Sequence, residues 1–297
     1  MNLYDRIEVK YSDYRQQMLL KEAKLMEKWR RSERITVMTK YLLEKPNTLL
    51  SLNEFTSMFS SAKSSISEDI SIIRDVFQQF GYGKIETMAG AGGGIIYLPQ
   101  VRNEDKYKFL HEVARRLEDP SRILPGGYLY MTDIIFEAGT AQKIGEIFAQ
   151  HFADMKPQYV VTVETKGIPL ALMTAKALNI PLVIIRDGGR VTEGSAVSLN
   201  YVTGSSRQIR TMSLSRRALP VDSKVIIIDD FMKAGGTAKG MIDLLWEFKS
   251  KVLGIGVLID TKMPEQKLVS GYYSLLKLHN VDEVLKKIEV EPIMTER

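Results

Sequence analysis

The stretch VIIIDDFMKAGGT, residues 225–237, places two adjacent carboxylates, Asp229 and Asp230, at the end of a continuous apolar run. Two glycines, Gly235 and Gly236, and the hydroxyl of Thr237 follow close behind. A short run that is apolar throughout reads as a buried parallel strand, and ligands of open α/β sheets bind beyond the carboxyl ends of such strands. Glycines let backbone close around an anion, and the helix beginning near Thr237 offers free N–H groups at its first turn. Paired carboxylates beside a phosphate cradle suit the vicinal hydroxyls of a ribose, which donate to anionic oxygens. The chemistry expected here is retention of a phosphorylated ribose. It is neither a Walker A loop, which needs Lys-Ser/Thr after its last glycine, nor a G-x-G-x-x-G fingerprint.

The elements that position this stretch form an alternating series. Residues 133–153 and PLALMTAKALN read as helices, YVVTV (159–163) and PLVIIR as strands. KVIIIDD is a strand, TAKGMIDLLWEFKS a helix and KVLGIGVLID a strand. Apolar strands alternating with helices predict a parallel sheet covered on both faces. Ahead of this series, residues 104–119 are helical and DPSRILPGGYLYMTD is rich in turns.

Residues 31–100 have a different pattern. Ile35, Met38, Tyr41 and Leu42 recur at helical spacing, without a capping box in front of them. SLNEFTSMF predicts a short helix with Ser51 as N-cap and Glu54 completing a capping box. A third helix carries Ile66, Ile70, Ile73 and Phe77 on one face and stops at Gly81. Lys84–Met88 and Ile95–Leu98 predict a hairpin around AGAGGG. Three helices and a hairpin are the order of a winged helix-turn-helix, with residues 99–102 as linker. The third helix opens with Lys63, Ser64, Ser65 and Ser67, short side chains suited to phosphates and base edges in a major groove. Arg30, Arg31, Arg34 and Lys84 flank it as candidate phosphate contacts. A helical unit for protein contact is the competing reading. Residues 1–30 are charged and loosely helical. Two readings stay open for them, a mobile extension with Met26 as another start, or a helix that packs only in an assembly.

Composition sets limits. The 297 residues are 44% hydrophobic and 26% charged, ordinary for two globular domains, and the net charge of +5 permits nucleic acid or a phosphate-rich ligand. The absence of cysteine excludes disulfides, thiolate metal sites and cysteine nucleophiles. No apolar run could span a bilayer and no secretory signal opens the chain, so a cytoplasmic protein without membrane contact is expected. His111, His151 and His279 are scattered, and no metal site is expected from them.

The stretch 225–237 resembles the PRPP-binding motif of type I phosphoribosyltransferases, a likeness covering roughly residues 130–270. It implies that Asp229 and Asp230 hold the ribose hydroxyls of 5-phosphoribosyl 1-diphosphate (PRPP) while Lys233, Ala234, Gly235, Gly236 and Thr237 hold its 5′-phosphate. It also implies a diphosphate loop at VETKGIPLA, carried by Thr165, Lys166 and Gly167. Residues 186–220, with Arg186, Arg190, Arg207, Arg210, Arg216 and Arg217, correspond to the loop that closes over the diphosphate; a solvated hairpin is the plainer alternative. Two positions depart from the enzymes. Lys233 and Ala234 replace a small residue and a threonine, and Phe231 replaces a smaller aliphatic beside the base pocket. Both cast doubt on turnover.

Together RRSERI, SAKSSISEDISII, GGYLYMTDI, ETKGIPLA, VTEGS and IIIDDFMKAGGT make nearly all of residues 30–297 similar to the purine operon repressors of Gram-positive bacteria. That resemblance implies a homodimer with an α/β architecture: an extension (1–30), a winged-helix DNA-binding domain (31–100) and a phosphoribosyltransferase-like domain with a parallel sheet (101–297). It implies an operator-binding regulator of purine synthesis genes that responds to PRPP and lacks transferase activity. Tyr128 is expected to reach the partner subunit's effector site. A PRPP-dependent activator and an active purine phosphoribosyltransferase are the alternatives. A purine nucleotide phosphorylated on both its 5′ and 3′ oxygens is a possible competitor, with Phe231 against its base. PRPP travels with Mg²⁺, which oxygen ligands suit; no cofactor is otherwise implied.

Overall fold

The structure is a computed structural model of the chain, and it describes residues 29–90, 94–188, 194–202 and 208–294, together with Gly93. The chain divides into two compact units, the first including Leu49–Phe80 and Ile85–Tyr97, the second including Leu98–Arg297.

The first unit contains α1 (Arg31–Glu44), β1 (Leu50–Ser51), α2 (Leu52–Phe59), α3 (Lys63–Phe80), β2 (Lys84–Met88) and β3 (Gly94–Leu98). The strands order β1-β3-β2, with Leu50 opposite Ile95. Met38, Leu42, Phe55, Phe59, Ile66, Ile70, Ile73, Phe77 and Ile95 share one buried cluster, against which Trp29 packs edge-on to Phe59 at 5.6 Å. The apolar face expected on the third helix is the one buried. Two caps differ from expectation. Glu33 Oε2 accepts from the Arg30 N–H at 2.8 Å, so α1 does have the acidic half of a capping box, two residues earlier than the Ser32 hydroxyl would place it. At α2 the Ser51 side chain accepts from the Asn53 N–H, not from that of Glu54.

The second unit begins with α4 (Asn103–Leu117), a hairpin of β4 (Ile123–Leu124) and β5 (Tyr128–Leu129), α5 (Thr132–Ile135) and α6 (Ala138–Phe152). It continues through β6 (Tyr159–Val163), α7 (Ile168–Leu178), β7 (Leu182–Asp187), β8 (Ala196–Val202), β9 (Ile209–Ser215), β10 (Lys224–Met232), α8 (Gly236–Trp246), β11 (Lys251–Thr261), β12 (Tyr273–Asp282) and β13 (Lys287–Pro292). Val101, in the expected linker, is buried and its N–H donates to Gln150 Oε1 at 2.9 Å, so this stretch is tied down.

Among the described residues the sheet order is β13-β12-β11-β10-β6-β7-β9-β8. Strands β7, β6, β10, β11 and β12 run parallel; β13, β9 and β8 join antiparallel. Val225 to Ile228 are fully buried, as a strand covered on both faces requires. From β6 the chain crosses to β7 on one side, and from β10 it crosses to β11 on the other. The topological switch therefore lies between β6 and β10, where the ends of the two strands open a crevice.

The loop expected over residues 186–220 is mostly a hairpin. Strands β8 and β9 pair from Ala196–Ser215 to Val202–Ile209 and attach to β7 through Arg186–Ser213 and Asp187–Met212. One face of β8 is exposed and alternates with a half-buried one, which is why its sequence reads as polar loop. Arg190 and Arg207 lie outside the described residues, as does nearly all of the 1–30 extension.

Candidate functional site

Two loops meet in the crevice. The acids sit at the end of β10, past the last residue of that strand paired with β6. The loop leaving β6, residues 164–167, turns against them. A Cβ added to Gly167 would lie 2.4 Å from Thr162 Oγ1 and 2.9 Å from Asp229 Oδ1, so only glycine lets α7 start this close to the acid. Thr165 and Lys166 are exposed, and the Lys166 charge opposes the upward shift that burial imposes on the Asp230 carboxyl. The loop is braced from behind: Glu164 accepts from the Asp187 N–H at 2.9 Å and pairs with Arg186 at 3.1 Å.

Asp229 is buried, and its Oδ1 accepts from the Asp230 N–H at 2.9 Å. Burial, and next the neighbouring Asp230 charge, push the Asp229 carboxyl well above the usual carboxylate range. Asp230 is half-buried and is raised by burial too. Among the described residues no ion pair reaches either acid.

Beyond them the chain enters α8 through Gly235, whose φ of +82° is left-handed backbone that glycine adopts without strain. The first N–H groups of α8 have no partner within the helix and carry the positive end of its dipole. Ala234, Gly235, Gly236, Thr237 and Ala238 line a cleft of about 430 Å³ with Asp229 and Phe231. Its wall is completed by Tyr128, Tyr201, Gln208 and Arg210. Tyr201 is carried by β8 and packs on α8 at Gly240, and burial raises its pKa. The cleft combines one buried carboxylate, Asp229, a cluster of N–H donors and an arginine, while Asp230, Thr165 and Lys166 are not among the residues that line it. That donor set accommodates a sugar phosphate, with hydroxyls on the acids and an anion at the helix start.

Of the residues singled out in the sequence, Asp229, Phe231, Lys233, Ala234, Gly235, Gly236, Thr237 and Tyr128 line this one cleft. Gly167 touches Asp229 from the side, bringing the second motif to the first. Tyr128 lines the cleft of its own chain, next to the Gly126–Gly127 turn of the β4–β5 hairpin, whose glycines are both at positive φ. Tyr201, Gln208 and Met232 went unread. The period-2 alternation of AVSLNYV was the available signal for Tyr201. Arg186 and Arg210 are not simply poised for a diphosphate: the first pairs with Glu164, and the second pairs with Asp187 at 3.1 Å while lining the cleft.

Arg30, Lys63, Ser64, Ser67 and Lys84 are exposed and Ser65 is half-buried. Arg34 requires correction as a phosphate contact. Its side chain is buried, donating from Nε to Asp69 Oδ2 at 2.7 Å and from Nη1 to the Trp29 carbonyl at 2.9 Å. Arg31 is exposed, yet it is also drawn to Asp69 and Glu68. Among the described residues no helix is long and apolar enough to cross a membrane, and no cluster of three acidic or histidine side chains could hold a metal ion.

Residues 30–99 match the family model described as the bacterial purine repressor N-terminal domain, and residues 132–291 match that of the phosphoribosyl transferase domain. The chain is 48% identical over 264 residues to the purine biosynthesis transcriptional repressor PurR of Bacillus subtilis, covering 89% of this chain and 93% of that one. It is 38% identical over 262 residues to the purine biosynthesis transcriptional activator PurR of Lactococcus lactis subsp. lactis, covering 88% and 97%. A xanthine phosphoribosyltransferase of Agathobacter rectalis is 35% identical over 184 residues, covering 57% of this chain and 95% of the enzyme.

Proposed function

Because the chain belongs to the PurR family of purine biosynthesis transcriptional regulators, we propose that it is a DNA-binding repressor of purine synthesis genes whose second unit senses PRPP. The observation that carries this reading is the convergence of Asp229 and the 234–238 backbone on one cleft, with Gly167 packed against Asp229, in a chain that also has a winged helix. The acids would take the ribose hydroxyls, the 233–237 loop the 5′-phosphate, and the 165–167 loop the diphosphate with its Mg²⁺. Exposed Lys63, Ser64 and Ser67 at the start of α3 would face the operator, with Arg30 and Lys84 on the phosphates. The active form would be a cytoplasmic homodimer. PRPP would act by linkage, lowering operator affinity by as much as it prefers the form that does not bind DNA.

Absence of transferase activity is part of the reading. Phe231 lines the cleft where a base would enter, and Lys233 and Ala234 replace the usual loop residues. Pyrophosphate release from PRPP and a purine base would overturn it. The activator name of the Lactococcus relative favours a second sign of control, which depends on where the operator lies relative to the promoter.

The test is binding of an operator duplex at fixed salt, with and without PRPP, since phosphate contacts make affinity depend on salt. PRPP should weaken binding by the wild type. The Asp229→Ala/Asp230→Ala variant should bind DNA equally well and ignore PRPP. A normal response in that variant would remove the site assignment. Competition by a doubly phosphorylated purine nucleotide is measured in the same format.

A further inference from the structure

Resting on the reading that the 233–237 loop holds the 5′-phosphate, we propose that Lys267 is a positioning residue for that loop. Its buried side chain, together with the Leu268 amide, turns the Ala234 and Gly235 N–H groups into the cleft. The segment following β11 doubles back behind the loop. A Cβ on Gly235 would lie 3.2 Å from the Leu268 nitrogen and 3.3 Å from Val269 Cγ2, so the two stretches are in contact. The Lys267 side chain is 4% exposed. Its Nζ donates to the Lys233 carbonyl, to the Thr261 carbonyl at 2.7 Å and to Thr261 Oγ1 at 3.0 Å. The Leu268 N–H donates to the Ala234 carbonyl at 2.9 Å.

In a planar trans peptide the carbonyl and the following N–H point to opposite sides. The peptide after Lys233 has its oxygen held from behind, so its Ala234 N–H points forward. The peptide after Ala234 is held in the same way, so the Gly235 N–H points forward too. Two successive donors are thereby added to the first amides of α8. Release of either carbonyl would let its peptide rotate and present an acceptor to an anion.

The cost of burying this lysine supports the assignment. Asp260, itself buried, balances it at 3.3 Å and also accepts from Lys277 at 2.5 Å. Burial lowers the pKa of Lys267, and Asp260 opposes that shift. A well-packed apolar side chain would generally serve stability as well as a buried ion pair. What it would not do is hold the Lys233 carbonyl.

The experiment is calorimetric titration of the full chain in Mg²⁺ with ribose 5-phosphate, PRPP and pyrophosphate, for wild type, Lys267→Met, Lys267→Arg and Asp229→Asn. Loss of donors to a charged group predicts that Lys267→Met binds ribose 5-phosphate and PRPP about tenfold more weakly or worse. Pyrophosphate, held by the other loop, should be unaffected, and Lys267→Arg should recover most of the loss. Unchanged binding of ribose 5-phosphate overturns the proposal. So does an equal loss for all three ligands, which marks general collapse of the fold. If Lys267→Met is unfolded by circular dichroism, Lys267→Arg decides: retained ribose 5-phosphate binding supports the role, and binding as weak as in Asp229→Asn overturns it. A wild type that binds no PRPP, or an Asp229→Asn variant that binds it normally, breaks the site assignment instead.

Discussion

Asp69 in the first unit and Asp229 in the second are both buried carboxylates, and they are treated in opposite ways. Asp69 accepts from Arg31 Nε at 3.0 Å and Arg34 Nε at 2.7 Å, so its charge is answered within the fold. Asp229 has another carboxylate for a neighbour, and its protonated form is favoured by burial and by that neighbour. Folding alone gives no reason to keep two such acids side by side. A buried charge with its counter-charge fixes one helix against another. A buried acid without one is a place for something that arrives later.

The largest test of this contrast is Asp69→Ala. It leaves the Arg34 guanidinium buried without its partner, a change that costs roughly 3–5 kcal/mol. Chemical denaturation should show the first unit strongly destabilised and operator binding lost, with PRPP binding by the second unit retained. A loss under 1 kcal/mol would mean that the pair is ornamental. Next is Gly167→Ala. Its Cβ has to displace Thr162 or Asp229, and overpacking of this kind costs about 1–3 kcal/mol. Pyrophosphate and PRPP binding should both fall, because the loop is forced away from the acids. The smallest effect has the opposite sign. Asp229→Asn removes a carboxylate whose folded-state pKa lies above its usual 3.8. Below the unfolded value both states are protonated and the acid costs nothing. As pH rises through the folded value, the wild type must carry a buried charge and loses stability. The variant should therefore melt with the wild type in acid and a few degrees above it at neutral pH, while losing PRPP binding. Equal melting temperatures at all pH values would show that Asp229 is not strained.

Much of the site could be read from the sequence because its parts are local. Val225 to Thr237 is a single strand, turn and helix start, and each step has its own residue signature: an apolar run, adjacent acids, a glycine pair. The same holds for α3, whose apolar spacing matches its buried face. Where reading failed, the deciding partner is remote or the strand has one wet face. Nothing near Arg34 in sequence announces Asp69, so it reads as a surface cation. Lys267 lies in a turn-rich stretch, and only the fold brings its ammonium to the Lys233 carbonyl. Strands β8 and β9 look like a polar loop because β8 alternates exposed and half-buried positions at the sheet's end. The last two strands carry a weak signal as well: the buried run Ser274–Leu276 is followed by Lys277, His279 and Asn280, which dilute the apolar pattern.

The two tryptophans fall one to each unit. Trp29 packs edge-on against Phe59 beside the first core, whereas Trp246 ends α8 with 74% of its surface in solvent. An indole already in water has little further to shift when its surroundings melt. Intrinsic fluorescence of this chain is therefore a one-sided gauge: its blue component follows the first unit, and the second unit can come apart with little change in colour.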